Sequence, residues 1–292
     1  MLLTNRIKHI YSNLLFMSGL IAASITVSPG TLVLFDAPVG SRYDFARQQG
    51  QSIRIGPVDK ATTYILSPEP ASYGGAQATG YFDFPEPEWF ILEAESVTIP
   101  KGESDTIPMW LSIPEDDGYY NHHWILGIPI TPAVTATSRT QLQVGAYLLY
   151  RFETEAKAEV VPKCAPDEVV VVPSVIEFLD LSPGDSVTEV AEIFQGVEKA
   201  QLCSVERLDP KSEVATYTIE GTSGFPRLAD TSWVEYPDII VIPGTEEGGG
   251  IFPVTVKIPR DAQVRRFEEI LILKGEGIRP AFVRIIVTTA QG

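Results

Sequence analysis

The sequence predicts an all-β protein made of two β-sandwich domains in tandem. Two observations predict this fold class. First, residues 88–116 and 232–261 share one pattern: a Trp, an apolar strand ending in Ile-Pro, a Gly-containing turn and a second strand ending in Ile-Pro. Second, apolar and polar residues alternate over short runs bounded by Gly, Pro, Asp and Ser, which is typical of half-buried strands.

The repeat continues along most of the chain. Trp89 and Trp233 are 144 positions apart, and Pro29 and Pro173 have the same separation. Further matches in the same order are Leu32 with Ile176, Leu34 with Phe178, Gly40 with Gly184, Gly80 with Gly224, and 58–61 with 197–200. Because self-similarity at a fixed offset indicates repeated units, we expect one domain over 25–155, a linker over 156–167 and a second domain over 168–292.

The N-terminus has the features of an export signal. Arg6 and Lys8 precede an apolar run over residues 14–23, and small residues suited to signal-peptidase cleavage lie at its end. The run is short for a membrane span. We therefore expect residues 1–24 to be a signal peptide and the protein to reach the periplasm, cell surface or extracellular space. An uncleaved anchor is the alternative.

Charge narrows the class of partner. The full chain has a net charge of −16, and the chain without residues 1–24 has 20 basic against 38 acidic residues, a net charge of −18. This balance argues against binding to nucleic acid and to anionic membrane surfaces. We expect a protein partner or self-association, with a cell-surface component as one option.

The two cysteines fit an exported protein. Cys164 lies in the linker and Cys203 lies in an early strand of the second repeat. An oxidising compartment favours their pairing, so we expect a disulfide that ties the linker to the second domain. Two free thiols are the alternative.

Each repeat contains about seven short strands, the number typical of an immunoglobulin-like sandwich. In the first repeat the predicted strands span 26–35, 52–55, 62–67, 96–99, 106–113, 123–130 and 143–153. In the second repeat they span 168–179, 192–206, 217–220, 239–242, 251–258, 269–274 and 281–289.

One aligned strand defines the expected core. Alternation places one set of side chains on the inner face of the first repeat and the matching set on that of the second; these are Ile107, Met109, Leu111 and Ile113, and Phe252, Val254, Val256 and Ile258. Pro108 and Pro253 between them predict an edge strand in both copies, because Pro cannot donate to the ladder. Trp89 and Trp233 are expected in the core, with ligand contact as the alternative.

The sequence offers no convincing catalytic constellation. Gly184-Asp185-Ser186 resembles a short hydrolase motif, but it lies in a Pro-Gly turn between strands and not at a strand-to-helix elbow. His122 and His123 are adjacent on a strand, so they should point to opposite faces and not enter one site. We therefore expect a protein that is not an enzyme and that needs no cofactor.

One loop is a candidate metal site. Carboxylates at residues 115–117, followed by Gly118 and the two histidines, crowd one turn of the first repeat, and such oxygens suit calcium. The spacing matches no EF-hand loop. A solvated acidic turn is the favoured interpretation, and calcium binding stays open.

The strand pattern resembles that of secreted prokaryotic immunoglobulin-like domains. Residues 97–130 resemble the N-terminal domain of WxL-interacting surface proteins, and Val27-Ser28-Pro29 with the Gly40 turn is similar to the pilus-chaperone sandwich. The first resemblance implies a surface protein. The second implies a chaperone that works by β-strand augmentation, although no basic pair is evident for the cleft between the domains.

We therefore expect an exported, non-enzymatic surface, adhesive or assembly protein that acts through protein–protein contacts. The alternatives are a periplasmic pilus-type assembly chaperone and, less favoured, a carbohydrate-binding module. The expected partner-binding residues are Trp110, which the pleat turns outward, and a patch of Tyr119, Tyr120 and Trp124 beside it, because exposed aromatic patches mark contact sites.

Overall fold

A computed structural model describes residues 25–71, 78–133, 145–228, 230–245 and 248–290. The expected signal peptide, residues 1–24, lies outside them. Within the described residues, no helix has both the length and the apolar character needed to cross a bilayer.

Strands are the main regular structure of the described chain and the helices are few and short, so the predicted all-β class is confirmed. Residues 25–155, called the first half, contain β1 (Val27–Ser28), β2 (Thr31–Ala37), β3 (Arg42–Asp44), α1 (Phe45–Gln49), β4 (Ile53–Ile55), β5 (Thr62–Leu66), β6 (Glu69–Pro70), β7 (Phe82–Asp83), β8 (Phe90–Leu92), β9 (Ser96–Ile99), β10 (Asp105–Ile107), β11 (Met109–Ser112), β12 (His123–Pro132) and β13 (Ala146–Thr154). Residues 168–290, the second half, contain β14 (Val169–Val172), β15 (Val175–Leu181), β16 (Ser186–Gln195), β17 (Gln201–Arg207), α2 (Glu213–Tyr217), β18 (Val234–Glu235), β19 (Ile239–Ile242), β20 (Gly250–Lys257), β21 (Arg266–Gly275) and β22 (Ala281–Thr289).

The strands form layered sheets in both halves. In the first half, a large sheet of order β2-β13-β12-β5-β9, with β6 and β7 also on β12, accompanies two small sheets, β1-β4-β10 and β3-β11-β8. In the second half, β15-β22-β21-β17-β19 accompanies β14-β16-β20-β18. Buried apolar side chains from all these sheets belong to one connected core that runs from one half into the other.

The two halves share an unusual closing pair of strands. β2 pairs in parallel with β13, and β15 pairs in parallel with β22. Each pairing has a register shift near its end, and each shift lies beside an Asp with positive φ: Asp36 at 50° and Asp180 at 54°. These matched irregularities support the repeat. The division into domains 25–155 and 168–292 stays a prediction.

Several predicted strands are divided or replaced in the structure. The stretches 26–35 and 168–179 each break at a proline, into β1 and β2 and into β14 and β15. The stretch 192–206 is two strands with a turn between them. The strand predicted over 217–220 is wrong, because Tyr217 ends helix α2. Ser212 caps that helix by accepting a hydrogen bond from the Ala215 N–H.

The aligned core strand behaves as the pleat predicts, but of the segments it forms only β10, which ends the sheet β1-β4-β10, is an edge strand. Both aligned sets of four apolar residues are at most 3 % exposed. Pro108 lies at the break between β10 and β11, and β11 is flanked by β3 and β8. β20 lies between β16 and β18, so neither β11 nor β20 is an edge strand. On this side of β20, β18 pairs only with Thr255 and Val256. Pro253 therefore needs no hydrogen bond to β18.

Trp89 and Trp233 both end a single 3-10 turn, over Pro87–Trp89 and Thr231–Trp233. Each is partly buried and packs against the core. Trp89 meets Phe84 and Tyr119 edge-on, with ring centroids 5.9 and 4.9 Å apart. Their expected core role agrees with this placement.

The predicted disulfide is not formed, and both cysteines are free. Cys203 is fully buried on β17 opposite Gly275 of β21. Cys164 packs against a separate small cluster formed by Val160, Val170 and Val172. The thiols lie in different apolar environments, and this is the physical reason that the expected bridge is absent.

Candidate functional site

The two halves meet where the outer faces of their large sheets pack together. On β12 and β13, alternation sends Trp124 and Tyr150 into the first-half core and leaves Ile125 and Leu149 on the outer face. These outer residues join a buried apolar cluster contributed by both halves, whose members are Tyr81, Ile125, Leu149, Leu208, Ile219, Ile270, Ile272 and Phe282. The contact between the halves is therefore apolar at its centre.

Arg284 on β22 is the main charged group in this contact, and it is 2 % exposed. Its Nε and Nη2 each donate to one carboxylate oxygen of Glu153 on β13, both at 2.6 Å. Its Nη1 donates to Glu268 Oε1 at 2.7 Å. Burial acts to raise the pKa of Glu153, but the charge and hydrogen bonds of Arg284 outweigh it and hold that pKa below its usual value. The arginine is thus a charged bridge between the halves.

Aromatic rings enclose this bridge. His123 stacks on Phe282 with ring centroids 3.9 Å apart and planes 11° from parallel. Tyr81 meets the edge of Phe282 at 5.4 Å, and its hydroxyl donates to Glu153 Oε1 at 2.7 Å. Burial lowers the pKa of His123 to about 4, so the imidazole is neutral at neutral pH.

A second polar cluster ties the linker to both halves. Asn121 Oδ1 accepts from the N–H groups of Lys157 and Ser174, at 3.0 and 2.9 Å. The neighbouring His122 is fully buried, with its Nε2 2.8 Å from Gly118 O and its Nδ1 2.7 Å from Glu168 Oε1. Because a carbonyl oxygen only accepts, Nε2 carries a proton. The contact between His122 Nδ1 and Glu168 Oε1 completes the hydrogen bonding of the ring.

Beside the Arg284 bridge, the halves leave a cleft of about 900 Å³ between β2, β13, β15 and the linker. Apolar walls come from Phe35, Val175, Ile176, Val190, Phe225 and Ile286. The carboxylates lining it are Asp36, Glu153, Glu155, Glu177 and Glu189, against two cations, Lys157 and Arg284. Burial raises the pKa of Asp36, and the Glu153 carboxylate acts in the same direction. The cleft is therefore predominantly acidic.

The cations that line the cleft are both paired. Arg284 is held by Glu153 and Glu268, and Lys157 Nζ lies 2.6 Å from Asp117 Oδ1. An anionic ligand would therefore meet carboxylates and engaged cations. A ligand with its own positive charge matches the lining better.

The predicted partner-binding residues do not form one patch. Trp110 is half-buried on the outer side of β11, as predicted, with the Arg42 guanidinium 4.7 Å above its ring. Tyr119 and Tyr120 are half-buried under Lys163 and Lys157. The expectation for Trp124 is wrong, because this residue is 2 % exposed. It occupies an inward pleat position on β12, where its ring stacks on His122 at 4.6 Å.

The acidic loop is occupied by lysines. Asp116 pairs with Lys163 and Asp117 pairs with Lys157. Asp116 Oδ1 also accepts from the Gly118 N–H, and the hydrogen bonds from Lys163 and this N–H lower the Asp116 pKa. Across the described ranges, no group of three or more His, Cys, Asp or Glu side chains is arranged to hold a metal ion.

The residues weighed for catalysis are dispersed. Asp185 Oδ2 accepts from the Ser182 N–H inside its turn, and Ser186 begins β16 opposite Lys257. Both histidines lie elsewhere, buried in different polar environments, as their adjacent strand positions predict. Within the part of the chain that the structure describes, Ser186 and a histidine do not come together.

The charged residues of the contact were missed from sequence, although a signal for them exists. Glu153, Glu268 and Arg284 each lie in or beside an apolar run of a long strand, although β13 and β21 carry further charged residues. A charge in such a run is rarely buried unless it is paired. The partners lie as far as 131 positions apart, so sequence alone does not pair them.

No protein-family model and no curated relative matches the chain. Among solved structures, a protein of unknown function from Porphyromonas gingivalis W83 matches 90 % of this chain and 99 % of its own, at 8 % identity and a TM-score of 0.32. The class 5 fimbriae chaperone CfaA matches 92 % of this chain and 100 % of its own, at 10 % identity and a TM-score of 0.33. An endo-fucoidan hydrolase of glycoside hydrolase family 107 matches 92 % of this chain and 29 % of its own, at 7 % identity and a TM-score of 0.28. Likeness at this level does not distinguish a chaperone from a hydrolase.

Proposed function

We propose that this chain is an exported, non-enzymatic surface or assembly protein of two immunoglobulin-like domains that binds another polypeptide between them. The observation that carries the proposal is the acidic cleft, which both halves and the linker line together. The Arg284 bridge beside it and the Asn121 cluster at the linker hold its two walls in one relative orientation. A pre-formed groove of this kind lowers the entropic cost of binding an extended segment.

The lining favours a segment that carries Lys or Arg among apolar residues. Its walls are apolar, and the exposed carboxylates of Glu177 and Glu189 lie at positions where a basic side chain gains charge complementarity. An assembly chaperone that grips a terminal carboxylate would need unpaired cations, and Lys157 and Arg284 are both paired. We therefore place the chaperone alternative second.

Charge reversal in the cleft tests the proposal. The double variant Glu177→Lys/Glu189→Lys should lose most cross-linked partner from an envelope fraction, as quantified by mass spectrometry, and the wild-type cross-link should weaken with salt. The matched control is Glu95→Lys/Glu276→Lys, which reverses two exposed carboxylates outside the cleft lining. Equal capture by both double variants would contradict the proposal.

Trp110 stays a separate proposed partner contact. Its ring is held by Arg42 on the outer side of β11, away from the first-half core. Trp110→Ala should weaken association with a partner more than it lowers the melting temperature. A large fall in melting temperature of dilute protein with unchanged association would show that the ring serves the fold alone.

A further inference from the structure

The outer side of the β17–β19 pair carries apolar residues that the sandwich does not bury. β19 is the last strand of its sheet and pairs with β17. Val241 lies opposite Leu202, and Ile239 lies opposite Ser204. Leu202, Ile239 and Val241 are 66 %, 65 % and 57 % exposed, whereas the alternating residues of the same strands point into the core. These three residues form what we call the β19 patch.

The first half contains the same strand pair with a less apolar outer side: of the four matched outward positions only Ile65, which corresponds to Ser204, is apolar. β5 pairs with β9 in the register that β17 uses with β19, and the residues corresponding to Leu202, Ile239 and Val241 are Thr63, Ser96 and Thr98. The hydroxyl oxygens of Thr63 and Thr98 are hydrogen-bonded to each other at 2.8 Å. The strand pair therefore accepts polar outward residues, and folding does not require the apolar set of the second half.

The β19 patch itself is uncharged, although the whole chain is strongly acidic. Ser204 pairs with Lys274 on the neighbouring strand β21, and the Lys274 ammonium lies 2.6 Å from Glu206 Oε2. For a chain of net charge −16, an uncharged region beside a neutral ion pair is where two copies meet with the least repulsion.

We propose that the β19 patch is a self-association surface on which a second copy of this chain docks about a two-fold axis. A two-fold contact places the same patch on both sides, so Leu202, Ile239 and Val241 of one copy cover those of the other. Three side chains provide much less than the roughly 800 Å² per partner of a standard interface. The dimer is therefore reversible and forms at high protein concentration.

This surface is separate from the cleft and does not depend on the proposed function. The salt dependence of association distinguishes a second copy of this chain from a basic partner. Association of two acidic copies through an apolar patch strengthens as salt screens their mutual repulsion, whereas binding of a basic partner weakens.

Sedimentation equilibrium over a wide concentration range tests the proposal. The wild-type full chain should shift reversibly from monomer to dimer, more strongly at high salt. The variant Leu202→Thr/Ile239→Ser/Val241→Thr, which installs the residues of the first half, should raise the dimer dissociation constant by about tenfold or more. Leu179→Thr/Ile251→Thr, which changes two exposed apolar residues elsewhere, should leave it unchanged.

Leu202→Lys provides a second variant with a single substitution, and thermal melts confirm that each variant is folded. A wild-type chain that stays monomeric throughout would overturn the proposal, as would a triple variant that dimerises as well as wild type. Monomeric wild-type protein whose patch instead binds an extended apolar peptide would assign the patch to a different occupant and also overturn it.

Discussion

Arg284 and Glu153 form a bidentate ion pair across the contact between the halves. Both hydrogen bonds are 2.6 Å long, and both side chains are almost fully buried. Such pairs are strongly destabilising to break, because the remaining charge is left without a partner in a low-dielectric site. Replacing the whole group by apolar residues avoids that penalty.

Arg284→Met should therefore lower the free energy of unfolding by about 3–5 kcal/mol, because it leaves Glu153 without a cationic partner and Glu268 with only the more distant Arg227, 3.7 Å away. The triple variant Glu153→Leu/Glu268→Leu/Arg284→Met should lose less than this single variant. Urea denaturation measures both values. A single variant as stable as wild type would show that the bridge is not buried in solution.

Gly80 tests the packing between the halves. Its φ is +85°, and an added Cβ would lie 2.6 Å from Phe282 Cδ1 and 2.9 Å from Ile219 Cδ1. Gly102 has a similar φ of +80° with nothing within 4 Å of the added atom. Both Ala variants pay the same backbone cost, so Gly80→Ala should be less stable than Gly102→Ala by about 1–3 kcal/mol, the range of overpacking. Equal melting temperatures would contradict the packing of Phe282 against this loop.

His123 should make stability depend on pH. Its pKa is lowered to about 4 in the folded chain against an ordinary value of 6.5, so the unfolded chain binds more protons between these limits. Stability therefore rises with pH from about 4 to 6.5, and His123 contributes up to about 3 kcal/mol to that rise. Glu153 and Arg284 face the imidazole and are kept in the comparison variant, His123→Phe, which preserves stacking on Phe282. Unfolding curves at several pH values should be flatter for His123→Phe. An identical pH dependence would show that His123 does not titrate in this range.

Both cysteines should react slowly in the folded protein, although Cys164 is partly exposed. Burial raises the pKa of Cys203 to about 11 and that of Cys164 well above its usual range, so neither is a thiolate at neutral pH. Thiol quantification without reductant should give two thiols per unfolded chain and slow labelling of the native protein. A chain with no reactive thiol after unfolding would restore the disulfide expected from sequence.

Sequence pattern was sufficient for the all-β class and for the inward set of the aligned strand, because burial follows strand period directly. It could not place Trp124, since the outward assignment came from neighbouring aromatics and not from the phase of β12, in which Leu126 and Ile128 are also inward. The Arg284 bridge depends on residues brought together by the contact between the halves, and no local pattern encodes that pairing. The cleft could not be predicted for the same reason, because its lining includes residues of strands as far apart in sequence as β2 and β22.

The parallel pairing of β22 with β15 has a consequence for biosynthesis. β22 follows every other described strand, yet it contributes Phe282 and Arg284, against which Tyr81, His123 and Glu153 of the first half are packed. During synthesis, the Glu153 carboxylate and the rings of Tyr81 and His123 therefore lack their β22 partners until that strand has been made. A chain truncated before β22 would leave Tyr81, His123 and Glu153 without their packing partners, on a surface accessible to chaperones and proteases.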